Sequence, residues 1–365
     1  MLSIIETCRG ILSKSSTYNH NTPHMNQVLK AKLKDRGLRL LYHARILENL
    51  LRRRSKNAAM ILAYHRINTR HYISSTKLYP GMYVSKESFE LQIDWLAKHF
   101  KIVSVSRIIT DLKHEQSKAW DEPLCAITFD DGWYDNYEHA FPIMKKYNLP
   151  WTIFIVKNTI GTSRPTCYDM CFEIIANSHE LSRTLTGIES VDSVIRSNLQ
   201  NRIQKARLVI NQIRRLQADE FDRVFAELTR FYYENLDAEE IDKKYRFLSW
   251  EEIKRLQDSG VEFGYHGQNH YMLTKLPEYR IEDELVLPVE VAKANGIDIK
   301  KIFCYPDGQF HDGIIKTLQE LGYEGAASMI QGFNNFRTDP YKLRRHSVHE
   351  GCAGSLPHFL YNISR

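Results

Sequence analysis

From residue 59 onward the sequence alternates short apolar runs with longer amphipathic ones, and this alternation limits the fold more than any other feature. Buried strands are predicted at AMILAY (59–64), PLCAITFD (123–130) and WTIFIV (151–156). Helical spacing of apolar residues marks SFELQIDWLAKHF (88–100) and SWEEIKRLQDSG (249–260). A strand followed by a helix, repeated, is typical of a parallel sheet covered by helices. With about seven such strands we predict an α/β fold closed into a (β/α) barrel, and an open doubly wound sheet is the alternative.

Residues 165–246 interrupt this alternation. The segment has many charged residues and no good strand candidate, and it contains long helical stretches such as NRIQKARLVINQIRRLQ (201–217). We predict a helical insertion between two strands of the barrel domain, which itself runs over 58–355. An insertion of this length usually shapes a substrate entrance or a partner surface.

The N-terminal part of the chain is strongly basic. Residues 25–56 carry ten Lys or Arg and two acidic residues, whereas the whole chain has a net charge of +6. Leucines recur there at helical spacing, so we predict a basic amphipathic helix over 25–57, after a poorly ordered tail over 1–24. Three interpretations stay open: a solvated helix that packs on the barrel, contact with an anionic membrane surface, and, less favoured, contact with nucleic acid. Met1 and Met25 are both candidates for the first residue.

The sequence carries no signature of export or of a membrane span. No run approaches the about 18 apolar residues that suggest a transmembrane helix, and the first residues lack the pattern of a secretory signal. The six cysteines are scattered, which fits a reducing compartment better than a disulfide scaffold. We therefore expect a cytoplasmic protein, peripheral at the membrane surface if the basic helix binds lipid.

Polar side chains follow the ends of the predicted strands. His65 follows the first strand, the doublet Asp130 and Asp131 follows PLCAITF, and His266 with His270 follows VEFGY. Carboxyl ends of parallel strands open onto one face of an α/β fold, so these residues can line one pocket although they are far apart in sequence.

The types and spacing of these residues favour a metal ion. His266 and His270 lie four positions apart, and one aspartate would complete a two-histidine, one-carboxylate site with positions left for water. The other aspartate cannot readily join it, because neighbouring side chains of a strand diverge; it is better placed to accept a proton from water. Alone, Asp-Asp-Gly is a common turn and the histidine pair a common surface feature. Their combination at two strand ends predicts a catalytic metal site.

Four segments resemble the polysaccharide deacetylase superfamily, the family 4 carbohydrate esterases related to chitooligosaccharide deacetylases. Residues 128–132 (TFDDG) match its first motif residue by residue, and 261–276 resemble its second, His-x-x-x-His motif. Residues 302–308 and 61–67 resemble its third motif and its N-terminal opening. The resemblance implies a distorted (β/α) barrel that hydrolyses N-acetyl, or sometimes O-acetyl, groups on sugars.

The same resemblance implies roles for the polar residues. Asp131, His266 and His270 would bind Zn²⁺ or another divalent ion such as Co²⁺, Ni²⁺ or Mn²⁺. Asp130 would be the general base of the reaction.

The remaining roles concern the oxyanion and the departing amine. The ion and a backbone N–H near Asp307, in the segment that also holds Tyr305 and Pro306, would stabilise the oxyanion. A histidine near the C-terminal end of the domain, either His346 or His349, would protonate the amine.

Some positions depart from the family pattern. Gly267 replaces the Ser or Thr that usually follows the first histidine of the second motif. Phe303 or Cys304 stands where the third motif usually has an arginine that contacts the base, so we expect a differently tuned base. The fourth motif is not visible. His65 is expected to line the pocket or to form a structural hydrogen bond.

These observations predict a metal-dependent hydrolase that removes an acetyl group from an N-acetylated sugar of a glycan or glycolipid precursor. One alternative is a carbohydrate-binding barrel without turnover, and another is a metal amidohydrolase that acts on a non-sugar amide. The partner is therefore expected to be a carbohydrate. A nucleic-acid partner is not expected, because no recognition motif accompanies the basic segment.

Overall fold

Ten strands lie within the residues that the computed structural model describes, which are 24–76, 79–114, 119–177, 185–235 and 238–365. The tail predicted over 1–24 lies outside these residues except for His24. The strands are β1 (Ala59–Tyr64), β2 (Arg66–Asn68), β3 (Tyr83–Ser85), β4 (Lys101–Val103), β5 (Leu124–Phe129), β6 (Thr152–Ile155), β7 (Glu262–Tyr265), β8 (Ile299–Cys304), β9 (Gly325–Ala327) and β10 (His346–Ser347).

The main sheet has the order β10-β1-β5-β6-β7-β8-β9, with β4 beside the first half of β5, and its strand pairings are parallel. Strands β2 and β3 form a separate parallel pair. The seven-strand path curls into a half-barrel, which confirms the predicted α/β barrel rather than an open doubly wound sheet.

The segment after β9 crosses the gap between the two ends of the sheet. Ala327 and Leu343 form a parallel bridge, and β10 then pairs with β1 through Leu62 and His346. Side chains of a strand alternate between the two faces of a sheet. The apolar interior of the barrel is therefore built from alternate residues, which include Ala59, Ile61, Ala126, Phe154, Ile302, Ala327 and Leu343.

Helices surround the sheet, most of them on its outer face, whereas Val105, Ile108 and Ile109 of one helix pack in the barrel interior. Those of the barrel are α3 (Arg70–Ser75), α4 (Lys86–His99), α5 (Val105–Lys113), α6 (Phe141–Lys146), α12 (Trp250–Asp258), α13 (Glu278–Leu285), α14 (Val289–Ala294), α15 (Asp312–Glu320), α16 (Glu350–Ala353) and α17 (Leu356–Ile363). Local sequence sets their ends, as in α12. There Ser249 and Glu252 form a capping box, and Gly260 with φ +90° follows the helix.

Five further helices lie between β6 and β7, where the sequence predicts the insertion. They are α7 (Cys167–Asn177), α8 (Glu189–Arg196), α9 (Arg202–Ile213), α10 (Ala218–Asn235) and α11 (Ala238–Tyr245). Their apolar faces form a second core, separate from the barrel interior, which includes Met170, Ile174, Val209, Ile210, Val224 and Leu228. The insertion thus packs as a helical layer of its own, and Trp133 and Phe247 join it to the loop after β5.

The basic N-terminal segment forms two helices, α1 (His24–His43) and α2 (Ile46–Arg54), instead of the single predicted one. The break lies at Arg45, whose φ of +55° is left-handed and so cannot continue a right-handed helix. Leu38, Leu47 and Leu51 are buried, and both helices contact α17. None of the helices in the described part of the chain is both long and apolar enough to cross a membrane.

Candidate active site and metal centre

A cavity of about 280 Å³ opens at the carboxyl ends of the barrel strands. Its walls come from the loops after β1, β5, β7, β8 and β9, the segments before β3 and β10, and the helical insertion. The lining residues are His65, Tyr79, Met82, Asp130, Asp131, Thr166, Tyr168, Asp169, Arg214, His266, His270, Tyr305, Asp307, Met329 and Arg345. The four polar positions on which the sequence argument depends therefore meet in one cavity.

Asp131 presents one carboxylate oxygen to the cavity. The backbone turns sharply here, with φ of +75° at Asp131 and +78° at Gly132. The indole Nε1 of the buried Trp133 donates to Oδ2 at 2.9 Å and so fixes the carboxylate plane. Oδ1 is buried, accepts no hydrogen bond from the described residues, and lies 3.5 Å from Nε2 of His266 and 3.4 Å from Nε2 of His270.

Trp133 is itself held from two sides. Its ring stacks on Phe247 at 4.0 Å, and the guanidinium of Arg66 lies 4.1 Å from its centre. Arg66 donates to the buried carboxylate of Asp135 at 2.7 Å. The orientation of Asp131 therefore depends on a packed layer that includes the end of the insertion.

His266 is held in the form that binds a metal ion. Its Nδ1 lies 2.7 Å from the backbone oxygen of Cys304, an acceptor only, so Nδ1 carries the proton and Nε2 offers its lone pair to the cavity. Burial, helped by the neighbouring His270, lowers the pKa of His266 to about 4. The imidazole is therefore neutral at pH 7, as metal ligation requires.

A loop, not a helix, turns His270 back towards His266. The φ of His270 is +61°, and the two ring centres are 4.8 Å apart. The buried carboxylate of Glu284 holds this loop by accepting hydrogen bonds from the amides of Gln268 and Asn269 at 3.0 and 2.9 Å. Gly267 has φ of +91°, and a Cβ there would lie 3.2 Å from Oε2 of Glu284. This packing explains why glycine suits the position where the family usually has Ser or Thr.

The residues present fit a divalent metal ion. One ligand atom each from Asp131, His266 and His270 lies within 4.8 Å of the others, and Oδ1 of Asp131, which accepts no hydrogen bond from the described residues, lies 3.5 Å and 3.4 Å from Nε2 of His266 and of His270. Two nitrogens and one carboxylate with open positions suit Zn²⁺ and related transition metals. A second group, Asp130 with His266 and Cys304, also meets the distance criterion. It is less suited to an ion, because the guanidinium of Arg345 already contacts both carboxylate oxygens of Asp130 and the sulfur of Cys304.

Asp130 has an arginine partner, contrary to the expectation from Phe303 and Cys304. Nη1 and Nη2 of the buried Arg345 donate to Oδ1 and Oδ2 of Asp130 at 2.7 and 2.8 Å. Nη2 also lies 3.0 Å from Sγ of Cys304. The guanidinium thus occupies the space beside the third motif but comes from the segment just before β10.

The paired guanidinium keeps Asp130 ionised. Burial alone would raise the pKa of this carboxyl, but the charge and hydrogen bonds of Arg345 hold it well below the ordinary value. The sequence analysis missed Arg345 because the order of motifs gives no reason to look for it there. The one usable signal is local: Arg344 and Arg345 precede the predicted His346, and a buried strand rarely contains an unpaired arginine.

His65 lies beside the base. Its Nε2 is 3.9 Å from Oδ2 of Asp130, and its ring lines the cavity. Its backbone oxygen accepts from Nδ2 of Asn136 at 2.8 Å, which anchors the loop after β1. The imidazole, and not only a structural hydrogen bond, therefore belongs to the site.

The two histidines proposed as proton donors do not line the cavity. Arg345 points into the barrel, so alternation along the strand turns His346 to the outer face, where its ring packs 5.2 Å from that of Phe333. His349 precedes α16, is half-buried, and lies close enough to the cavity-lining His65 for the two imidazoles to interact electrostatically. The geometry turns His346 away from the cavity and so corrects that candidate, whereas a proton-donor role for His349 stays a prediction.

Of the third-motif residues, Tyr305 and Asp307 line the cavity and Pro306 packs outside it. Tyr305 lines the cavity, but its hydroxyl donates to the backbone oxygen of Tyr341 at 2.9 Å and its amide to that of Ala327. Pro306 is buried outside the lining. Asp307 has φ of +54°, which places its carboxylate 3.2 Å from Nη2 of Arg214. The backbone N–H near Asp307 stays a prediction for the oxyanion.

The insertion supplies one wall of the cavity. Thr166, Tyr168 and Asp169 come from the start of α7, and Arg214 follows α9. The guanidinium of Arg214 lies 5.0 Å from the ring centre of Tyr168. Sequence reasoning placed the insertion near the substrate entrance but could not name these residues, because no motif marks them.

Comparison with known proteins identifies the family. A family model described as polysaccharide deacetylase matches residues 117–326, which is more than half of the chain. The chain belongs to the polysaccharide deacetylase family. The residues beside the base, His65 and Arg345, both lie outside the matched range.

Curated relatives of this polysaccharide deacetylase match over a shorter range. The chain is 31% identical over 124 residues to the poly-beta-1,6-N-acetyl-D-glucosamine N-deacetylase of Staphylococcus epidermidis, which is 32% of this chain and 42% of that protein. The protein of the same name from Staphylococcus aureus is 33% identical over 114 residues, 29% of this chain and 38% of the relative. The matches thus span less than half the length of these relatives.

Solved structures show the same fold at low sequence identity. IcaB from Ammonifex degensii superimposes with a TM-score of 0.53 at 17% identity, over 85% of this chain and 98% of that chain. The Streptococcus pyogenes deacetylase PplD, solved in complex with acetate, gives 0.52 at 15% identity over 85% and 99%. At these identities the likeness concerns the fold of the polysaccharide deacetylase barrel.

Proposed function

We propose that this polysaccharide deacetylase is a metal-dependent hydrolase that removes the acetyl group from an N-acetylated sugar residue. One observation carries the proposal: Oδ1 of Asp131, unpartnered among the described residues, faces Nε2 of His266 and of His270, with the ionised Asp130 beside it. A ligand set next to an ionised carboxylate suits hydrolysis and has no purpose in a protein that only binds.

Asp131, His266 and His270 would hold the ion, with Zn²⁺ as the first candidate and Co²⁺, Ni²⁺ or Mn²⁺ as alternatives. When bound, a divalent ion supplies a Lewis acid for the amide carbonyl and lowers the pKa of water to about 7 in favourable sites. His266 needs no proton transfer of its own to hold the ion, because its imidazole is already neutral, and Oδ1 of Asp131 accepts no hydrogen bond from the described residues.

Asp130 and His65 divide the proton transfers. A carboxylate oxygen of Asp130 accepts a proton as water attacks the acetyl carbon. Arg345 fixes both oxygens of Asp130 in one plane, so the base meets the water in a single orientation. The C–N bond then breaks, the nitrogen takes a proton from Nε2 of His65, and acetate leaves while the amine stays on the sugar.

The substrate class follows from the relatives and the cavity. The curated relatives are named for poly-beta-1,6-N-acetyl-D-glucosamine, which is a polymer of N-acetylated sugars. A cavity of about 280 Å³ lies near the lower end of small-molecule sites, so it suits one sugar residue at a time. Tyr79 and Tyr168 offer aromatic surface for a sugar ring in that space.

A metal amidohydrolase for non-sugar amides is the second candidate. The insertion narrows the cavity, and a small enclosed site suits a compact amide better than an open groove would. A carbohydrate-binding barrel without turnover is disfavoured, because both the base and a proton donor flank the ligand set.

The test measures bound metal and released acetate on the full chain. Substrates are β-1,6- and β-1,4-linked N-acetylglucosamine oligomers and a simple N-acetylated amine. We expect stoichiometric metal and acetate release from a sugar in the wild type, loss of both in His266→Ala, and loss of turnover with metal retained in Asp130→Asn. His71→Ala, which changes an exposed histidine that does not line the cavity, is the control. Turnover unaffected by Asp130→Asn would refute the assignment, and turnover of the simple amide alone would favour the second candidate.

A further inference from the structure

Helix α1 leaves an apolar stripe uncovered. Leu33 is 55% exposed and Leu40 is 70% exposed, although both belong to a helix that packs on the barrel. Seven residues make almost two helical turns, so these two side chains lie on one face. Leu38 lies on the opposite side and is buried, and Leu41 and Tyr42 pack partly against the core. The packing of α1 is thus satisfied without the outer leucines.

Cations flank the exposed stripe. Lys32, Lys34, Arg36 and Arg39 are exposed on the same helix. Residues 31–56 contain nine Lys or Arg and two acidic residues, so a chain with a net charge of +6 has a net charge of +7 in this segment alone. Asp35, one of the two acids, already accepts a hydrogen bond from Arg39 at 2.9 Å.

Helix α2 also exposes a leucine close in sequence to exposed cations. Leu50 is 42% exposed, and Arg52 and Arg53 follow it on the surface. Both helices are fixed to the body of the protein: Leu47 and Leu51 are buried, and Arg54 donates to the backbone oxygen of Ser364 at 2.8 Å. A ligand that binds this surface would therefore hold the whole domain, because the two helices are packed against it.

We infer that α1 and α2 form a docking surface for an anionic lipid bilayer. Phosphates attract the lysines and arginines in lipids and nucleic acids alike. Exposed leucines between the cations distinguish the two, because the boundary between headgroups and acyl chains accepts apolar side chains, whereas a phosphate backbone does not. The combination of an apolar stripe with basic flanks is the one that interfacial helices show.

Vesicle sedimentation of the full chain tests this inference. The probes are phosphatidylcholine vesicles with and without phosphatidylserine, at low and at physiological salt. We expect binding to the anionic vesicles only, weakened by salt, and about tenfold or more weaker in the double variant Leu33→Ser/Leu40→Ser. The control is Leu91→Ser/Leu208→Ser, which changes two leucines that are 57% and 42% exposed elsewhere. It should bind as the wild type does.

Other outcomes overturn the inference. Equal binding to neutral and anionic vesicles, or unchanged binding of Leu33→Ser/Leu40→Ser, removes the role of the stripe. Tight duplex DNA binding without vesicle binding assigns the surface to nucleic acid. A dimer that the leucine variant converts to a monomer, again without vesicle binding, assigns it to a second copy of the chain. Asp131→Asn should bind vesicles normally, so the outcome does not depend on the proposed deacetylation.

Discussion

Two short segments of this chain each offer two histidines close to a strand, and only the first turns both of its histidines towards the metal site. In 266–270 the backbone leaves the strand, passes through left-handed conformations at Gly267 and His270, and returns both imidazoles to Asp131. In 345–349 the chain stays extended through β10, so alternation sends Arg345 inward and His346 outward. Residue type and proximity in sequence are thus insufficient to identify site residues, because the local backbone conformation determines which side chains point into the cavity.

The largest expected effect is a difference in kcat between the His65 and His349 variants. We predict that His65→Ala lowers kcat by about 10²–10⁴-fold, the usual contribution of a general acid, with metal content unchanged. His349→Ala should change kcat little, because its ring does not line the cavity. Steady-state acetate release with parallel metal analysis checks both variants. The reverse order of effects would return the proton-donor role to the C-terminal segment.

Arg345 is the inward residue of the second segment, and its removal leaves a buried carboxylate without its partner. We predict that Arg345→Met lowers the free energy of unfolding by about 3–5 kcal/mol, as for other broken buried pairs. The matched control is Arg107→Met, which breaks an exposed pair with Asp111 and should cost about 1 kcal/mol or less. Urea denaturation at neutral pH measures both, and similar losses would show that the buried pair is not special.

His346, the outward-facing residue of the second segment, should make the stability of the folded state depend on pH. Burial, with the charge of Arg54, lowers the pKa of His346 to about 4 from an ordinary 6.5. The folded state therefore resists protonation: its stability is complete above pH 6.5 and falls as the pH drops towards 4. His346→Leu should remove this loss, worth about 3 kcal/mol by pH 4, while acetate release persists at neutral pH. Urea titrations across this pH range check it, with exposed His71→Leu expected to behave as the wild type.

The smallest effect concerns the loop of the first segment. Gly267→Ala places a Cβ at a left-handed φ beside Glu284, and we expect it to cost about 1–2 kcal/mol and to weaken metal binding. Gly37→Ala, in the open interior of α1, should instead stabilise by about 0.5–1 kcal/mol. Thermal unfolding and metal titration measure the pair. An unchanged metal affinity in Gly267→Ala would show that the loop tolerates the shift.

The sequence predicts those features of the molecule that depend on local residue patterns. The alternation of apolar runs predicts the parallel barrel, and the spacing of His266 and His270 predicts a site with one aspartate of the doublet. The family resemblance then implies that this aspartate is Asp131. Arg345 lay beyond reach, because its contact with Asp130 depends on β10 pairing with β1 across the whole chain. His346 was misplaced for the same reason: a strand of two residues gives no readable alternation. The cavity wall formed by the insertion depends on helix packing, which no short motif records.

The pairing of β10 with β1 has a consequence for the making of the protein. Asp130 leaves the ribosome more than two hundred residues before Arg345, and until the last strand docks its carboxylate has no guanidinium to offset burial. The parallel sheet and the Asp130–Arg345 pair are therefore completed in one event, after the other described strands have been synthesised. A chain that stalls or is cut before β10 would keep its three candidate metal ligands but would lack the arginine that keeps Asp130 ionised. Completion of the fold and catalytic activity therefore depend on the same contact.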